Sequence, residues 1–262
     1  MKAFAKAYPD RIGPAEYRDG DWAVPIRGVY YYYANGKLLP QSLRSQEADY
    51  APTDIYVYPK DLPQWQKPSA AEVARYKAMT EAREQSTRKR STFFFSALLR
   101  ASNRQEAYNR VKQIKLFGKA FMIHYSILEE IALVEEQVLE AAKSNKEVQQ
   151  WVQSITEIDA WNWRPVAGSG NLSYHSYGIA LDILVKTTNT QDTYWQWAKN
   201  KYNGNWWDVS YERRTHPPSA VIKIFESYGF IWGGKWLFYD TMHFEYRPEI
   251  FILNGLPLNG QH

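Results

Sequence analysis

The pattern of apolar and polar positions changes character twice along the chain. Over residues 1–68 apolar residues come in short bursts between turn formers, which predicts a β-leaning extension. Val29-Tyr30-Tyr31-Tyr32-Tyr33 runs into Ala34-Asn35-Gly36-Lys37-Leu38, a strand entering a hairpin turn, because Asn-Gly accepts the positive φ angles such turns need. Ile55-Tyr56-Val57-Tyr58 reads as a second short strand. Pro52, Pro59, Pro63 and Pro68 break the segment.

From Ser69 the spacing becomes helical. Ser69-Ala70-Ala71-Glu72 is a capping box, in which the serine and the glutamate satisfy free amides of a first turn. The helix it opens is strongly charged to about Arg90, with little apolar stripe after Met79. From Arg83 to Lys119 basic residues outnumber acidic ones. Contact with an anionic polymer would use such a run, but a solvated helical face accounts for it at less cost. Phe121 to Ala142 is predicted as the strongest helix: Ile127, Leu128, Ile131, Val134, Val138 and Leu139 recur at helical spacing, and Glu129, Glu130, Glu135, Glu136 and Glu140 take the wet face. His124, at its start, reads as structural. A weaker helix covers Lys146–Val152, so residues 69–153 are expected to form a helical block packed on the core.

Beyond Ser154 short β-like runs return. Ile155–Trp163 leads through a loop at Ala167-Gly168-Ser169-Gly170-Asn171 to an apolar strand from Gly178 to Val185. A helix is predicted from Asp192 to about Tyr202. A second opens at Pro217-Pro218-Ser219 and closes before Gly229. Strands follow at Phe230–Trp232 and Met242–Tyr246. This β-α-α-β-β order predicts an α+β fold, with a small antiparallel sheet and flanking helices over residues 154–255 and a tail at 256–262. No internal repeat is present.

Composition narrows the chemistry more than the fold. With 262 residues, 45% hydrophobic and 23% charged, the chain is that of a folded protein. A net charge of +4 gives no argument for nucleic acid as partner. The 11 Trp, 20 Tyr and 11 Phe fill cores and equally line grooves for peptides or sugars. The absence of cysteine excludes disulfides, thiolate metal sites and cysteine nucleophiles, so any zinc must be held by His and carboxylate. No apolar run reaches the ~20 residues of a membrane helix. Met1-Lys2-Ala3-Phe4 opens no signal peptide, which leaves a cytoplasmic protein or one whose targeting segment was removed.

Two islands carry the candidate chemistry. The first is Ser173-Tyr174-His175-Ser176-Tyr177-Gly178-Ile179-Ala180-Leu181-Asp182, and the second runs from Trp232 to Glu245 and contains Asp240-Thr241-Met242-His243-Phe244-Glu245. Hydrolytic zinc takes three protein ligands and keeps one position for water, and His175, Asp182 and His243 supply such a set. Small residues at Gly178 and Ala180, on the parity of Asp182, are expected to leave space beside the ligand. Asp240 stands where a general base is needed, Glu245 can hold a ligand imidazole, and Arg164 suits a carboxylate or an oxyanion. Taken singly, each residue is more often structural; the combination points to a metal site.

Ser173-x-His175-x-x-Gly178-x-Ala180-x-Asp182, followed by Asp240-x-x-His243-Phe244-Glu245, closely resembles the zinc D-alanyl-D-alanine carboxypeptidase (VanY-type) and L-alanyl-D-glutamate endopeptidase family, whose fold is shared with the hedgehog signalling domain. The resemblance covers roughly residues 155–250. It implies His175, Asp182 and His243 as zinc ligands, Asp240 as catalytic base (a Glu in many members, an Asp in the endopeptidase-like branch) and Arg164 as the substrate-polarising arginine. It further implies a peptidoglycan stem peptide as substrate and an envelope or periplasmic location after signal removal. Ser173, Tyr177, Trp232, Trp236 and Glu245 are the expected pocket or supporting residues.

Three alternatives compete. Ser86-Thr87-Arg88-Lys89, Ser169-Gly170-Asn171 and Lys186-Thr187-Thr188 imitate the serine penicillin-binding motifs, although the nucleophile would lie in a run of charge and the last element lacks its glycine. A binding module on the same fold without turnover is the second. A purely structural zinc or calcium site is the third.

Overall fold

The computed structural model describes residues 1–62, 64–166 and 170–259. Pro63, the Ala167-Gly168-Ser169 part of the expected loop and the last three residues of the expected tail lie outside the described residues. In chain order the elements are α1 (Lys2–Ala7), β1 (Glu16–Arg18), β2 (Asp21–Ile26), β3 (Val29–Tyr32), β4 (Leu39–Pro40), β5 (Tyr50–Ala51), α2 (Ala70–Gln85), β6 (Lys89–Arg90), α3 (Phe93–Leu99) and α4 (Arg104–Tyr108). They continue with β7 (Val111–Leu116), β8 (Lys119–His124), α5 (Leu128–Ser144), α6 (Lys146–Ser154), β9 (Ile155–Asp159), β10 (Ala180–Val185), α7 (Trp195–Lys201), α8 (Ser219–Ser227), β11 (Phe230–Trp232), β12 (His243–Tyr246) and α9 (Pro248–Leu253). The fold is α+β.

The site is built on a four-stranded antiparallel sheet in the order β11-β12-β10-β9. Side chains alternate across a strand, so the register sorts residues by face. Leu181 pairs with Phe244, and Trp232 with Phe244, placing these three on one face. There α8 covers them, with Phe225 stacked on Phe244 at 4.1 Å between ring centres. The opposite face carries Asp182 opposite His243 and Ala180 opposite Glu245. The strands and helices predicted after Ser154 are all present, with boundaries shifted by a few residues.

The predicted helix from Phe121 is corrected. Phe121 and His124 belong to β8, which forms a hairpin with β7 through Phe117 and Gly118, both at positive φ, and α5 starts only at Leu128. The expected helical block is therefore interrupted by a β-hairpin. An apolar Phe121-Met122-Ile123 run extends the helical periodicity by accident, and a Phe-Gly turn gives no sequence signal as strong as Asn-Gly. The Asn35-Gly36 turn does behave as read, with φ of 51° and 85° between β3 and β4.

Residues 55–58 form no strand. Tyr58 N–H donates to Asn254 Oδ1 at 3.2 Å, Asn254 Nδ2 donates to the Tyr56 carbonyl at 3.1 Å, and Lys235 Nζ donates to the carbonyls of Pro59 and Lys60 at 2.9 Å each. The segment is a strap laid over the four-stranded sheet, its main chain satisfied by side chains.

Gly178 also departs from expectation. It ends a 3₁₀ turn at φ 71°, and a Cβ there would stand 2.8 Å from Val111 Cγ1 and 2.9 Å from the His124 nitrogen. Its smallness serves close packing on β8, where His124 N–H donates to the Gly178 carbonyl at 2.8 Å, and opens no space beside the candidate ligands. One hydrophobic cluster runs from Phe4 in α1 to Tyr246 in β12, so the N-terminal residues share the core of the four-stranded sheet. A second, tryptophan-rich cluster of Trp195, Trp206, Trp207 and Tyr239 receives α2 through Val73 and Tyr76.

Candidate metal centre and cleft

Each candidate ligand is positioned by a different local device. His175 lies in the 3₁₀ turn Tyr174–Tyr177, whose start is capped by Ser173: the serine hydroxyl accepts the His175 amide at 3.3 Å. Asp182 and His243 are directly opposed on β10 and β12, an arrangement fixed by register. Ligand atoms of His175, Asp182 and His243 all lie within 4.8 Å of one another.

The ring nitrogens are sorted by their outer partners. His175 Nδ1 meets the Ala160 carbonyl at 2.5 Å, which leaves Nε2 facing Asp182 Oδ2 at 3.3 Å and His243 Nδ1 at 3.3 Å. His243 Nε2 meets Glu245 Oε2 at 3.2 Å, leaving Nδ1 at 2.9 Å from Asp182 Oδ1. A carbonyl and a carboxylate on the far nitrogens set both tautomers so that the inner nitrogens present lone pairs. Two lone pairs and a carboxylate converging in a buried place call for a positive charge between them. The same field favours a positive charge on the His243 ring. Burial lowers its pKa, but hydrogen bonds to Asp182 and Glu245 outweigh that and raise it to about 10. The donor set fits a divalent cation such as zinc.

Asp240 completes the group. Its main chain is tied by N–H donation to the Gly233 carbonyl at 3.0 Å and by a bridge to Tyr194, while Oδ1 is buried without a hydrogen-bond partner. Burial and the charge of Asp182 push its pKa up. A buried carboxylate oxygen with no donor of its own is set to take a proton.

Behind His243 stands a buried ladder. Burial raises the Glu245 carboxyl, but the hydrogen bond to His243 and the charge of Arg247 hold it below its ordinary value. Glu245 Oε1 accepts from Arg247 Nη1 at 2.9 Å; Arg247 also pairs with Glu249, and Glu249 Oε2 accepts from Tyr8 OH at 2.8 Å.

The centre opens into a cleft of about 570 Å³, lined by the ligands, Asp240, Arg164, Ser173, Trp236 and Glu245, and also by Asp54, Tyr56, Arg83, Arg90, Trp195 and Phe238. Arg164 Nη2 lies 3.9 Å from Asp182 Oδ2. Trp236 sits 5.4 Å from the His243 ring and donates its indole N–H to Tyr56 OH at 2.6 Å. Tyr177 and Trp232, expected as pocket walls, do not line the cleft. Tyr177 is buried beside Phe95 and Ser96, and Trp232 lies on the opposite face of the sheet, donating its indole N–H to the Thr241 carbonyl at 2.9 Å. Parity along β11 separates Trp232 from the site, a fact available only once the register is known.

Sequence reading missed Asp54, Tyr56, Arg83, Arg90 and Arg247, which come from the strap, from α2 and β6, and from beyond the second island. Arg83 was legible only as one charge among many. The serine-type alternative finds no support: Ser86 is exposed beyond α2, outside the lining of the cleft, and Ser169 lies outside the described residues.

Residues 167–246 match the model of a family described as D-alanyl-D-alanine carboxypeptidase, a span that contains His175, Asp182, Asp240 and His243. Residues 1–54 match the model of a domain of unknown function. Among curated proteins the chain is similar to the peptidoglycan L-alanyl-D-glutamate endopeptidase CwlK of Bacillus subtilis (strain 168), 31% identical over 84 residues, which cover 30% of this chain and 42% of that relative. The chain thus spans less than half the length of that relative. No solved structure matches. These matches bear out the resemblance carried by the two motifs.

Proposed function

We propose that this chain, which carries the D-alanyl-D-alanine carboxypeptidase family segment over residues 167–246, is a zinc-dependent peptidase that hydrolyses peptidoglycan stem peptides. The observation that supports this most is the convergence of His175, Asp182 and His243 beside Asp240, whose buried Oδ1 has no partner. Zinc held by His175 Nε2, His243 Nδ1 and Asp182 would supply Lewis acidity to a water molecule and to the scissile carbonyl. Asp240 Oδ1 takes the proton of the attacking water, whose hydroxyl joins the carbonyl carbon, and returns that proton to the nitrogen as the C–N bond breaks. Arg164 faces the oxygen that gains negative charge and stabilises it with its N–H donors. Ala160 and Glu245 keep the two imidazoles in register, so the ligand set needs no rearrangement.

A hydrolase of assembled wall works in the envelope or periplasm, and none of the described helices is long and apolar enough to cross a membrane. The test is mass spectrometry of products from defined stem peptides, with metal-free and zinc-loaded protein. Zinc-dependent cleavage is expected, and the product masses identify the bond, whether a terminal D-Ala-D-Ala or an internal linkage. Uncut peptides with zinc-loaded protein would leave a binding module on this fold as the better reading.

A further inference from the structure

Helix α2 lies outside the segment that carries the zinc motifs, yet it delivers a charged group to the same cleft. Its residues that escape full exposure include Val73, Tyr76, Thr80 and Arg83, spaced as one helical face. That face docks on the tryptophan-rich cluster. Tyr76 lies 5.9 Å from the Trp206 ring, and Trp206 Nε1 donates to Thr80 Oγ1 at 3.4 Å. Arg83, one turn further, is thereby held with its guanidinium 5.3 Å from the Phe238 ring and 5.9 Å from the Trp195 ring, at the wall of the cleft.

The cations of the cleft are otherwise paired. Arg90 meets Asp54, Arg164 meets Asp182 at 3.9 Å, Lys235 meets Glu226 at 2.6 Å, and Arg247 meets Glu245 and Glu249. Glu84, next to Arg83, is taken by Lys199. Among the described residues that line the cleft, Arg83 is the cation with no carboxylate within 4.0 Å, and its Nε is buried without a hydrogen-bond partner. Aromatic rings satisfy the faces of a guanidinium; its N–H donors lie in the plane and need acceptors. A buried donor left open costs free energy that a bound oxygen recovers. Phe238 and Trp195 are close in sequence to Asp240 and Tyr194, which bridge each other, so this open donor stands on the Asp240 side of the cleft.

We infer that Arg83 is a substrate-binding residue that receives a carboxylate of the peptide, and that the substrate is therefore anionic at a position away from the bond being cut. The inference takes the peptide nature of the ligand from the function proposed above. The carboxylate comes either from the C-terminus of the peptide or from an internal acidic residue. Arg83 pairs with it through its in-plane N–H groups while the two rings hold the guanidinium in place, which is how a fork geometry selects a carboxylate over a neutral amide.

The test is equilibrium binding to the zinc-loaded full chain carrying Asp240→Asn, so that peptide is not consumed, read by tryptophan fluorescence because Trp195 lies beneath Arg83. One probe pair is acetyl-L-Lys-D-Ala-D-Ala and its C-terminal carboxamide; the other is acetyl-L-Ala-γ-D-Glu-L-Lys carboxamide, in which the D-Glu α-carboxylate, the sole carboxylate of the peptide, is free or amidated. With Arg83 present, the free carboxylate of one pair is expected to bind about tenfold or more tightly than its amide, and the pair that shows this identifies the source. Adding Arg83→Met, which keeps a stem over the rings, should reduce the preference to within about twofold and leave the amide unchanged; Arg83→Lys should restore part of it. A preference that survives Arg83→Met, equal weakening of both forms, or no preference in either pair would overturn the inference. If wild-type protein cuts no stem peptide while the Arg83-dependent preference persists, the proposed reaction fails and the carboxylate site stands.

Discussion

Asp240 and Asp182 are two carboxylates of one centre held in different electrostatic states. Asp182 sits between two imidazoles, which hold its pKa below the ordinary carboxylate value against the effect of burial, whereas burial and the charge of Asp182 raise that of Asp240. The proposed ligand and the proposed base need that division. Asp240→Asn keeps shape and removes the proton acceptor, so zinc occupancy and thermal stability are expected to stay at the wild-type level while kcat falls by ~10²–10⁴-fold. Atomic absorption, thermal denaturation and rate measurements on one preparation check this. Loss of stability together with activity would instead make Asp240 part of a purely structural ion site.

Among the elements, the β7–β8 hairpin is fastened to its surroundings through His124. His124 Nε2 lies 3.0 Å from the Leu99 carbonyl at the end of α3, and Nδ1 accepts from the Ser126 amide at 3.2 Å. Burial lowers the His124 pKa to about 4, so the folded protein prefers the neutral ring. The unfolded chain, with an ordinary value near 6.5, binds more protons between these two pH values. The contribution is therefore complete above about pH 6.5 and is lost as pH falls toward 4, amounting to roughly 3 kcal/mol. Urea denaturation across that range should show a shallower loss of stability in His124→Asn than in wild type; parallel pH profiles would count against this role.

At the scale of the molecule, residues remote in sequence meet behind the metal centre. The ladder His243–Glu245–Arg247–Glu249–Tyr8 joins β12 to the chain just beyond α1, and Arg247 Nη2 donates to the Asp54 carbonyl at 3.0 Å, fixing the root of the strap. An N-terminal segment thus buttresses the orientation of a candidate ligand. Arg247→Met, which frees Glu245 from its cation, is expected to weaken zinc binding by ~10–100-fold in chelator competition. Tyr8→Phe removes only the last hydrogen bond and should cost about 1 kcal/mol of stability with a smaller change in zinc affinity. Unchanged zinc affinity in a folded Arg247→Met protein would reduce the ladder to core filling.

Sequence alone determined what local chemistry can encode. The capping box at Ser69, the Asn35-Gly36 turn and the strands and helices after Ser154 were legible because short-range periodicity and residue type carry them, and the grouping of His175, Asp182, Asp240 and His243 was legible from residue type and from the resemblance of the two motifs. The tertiary structure decided matters that depend on pairing between distant segments. Register across β10, β11 and β12 set Asp182 against His243 and turned Trp232 to the far face, and docking of α2 on the tryptophan cluster brought Arg83 to the cleft. A charge or a ring has the same local pattern whether it faces water, core or ligand. Which of these it meets is fixed by the surface packed against it, and that surface comes from elsewhere in the chain.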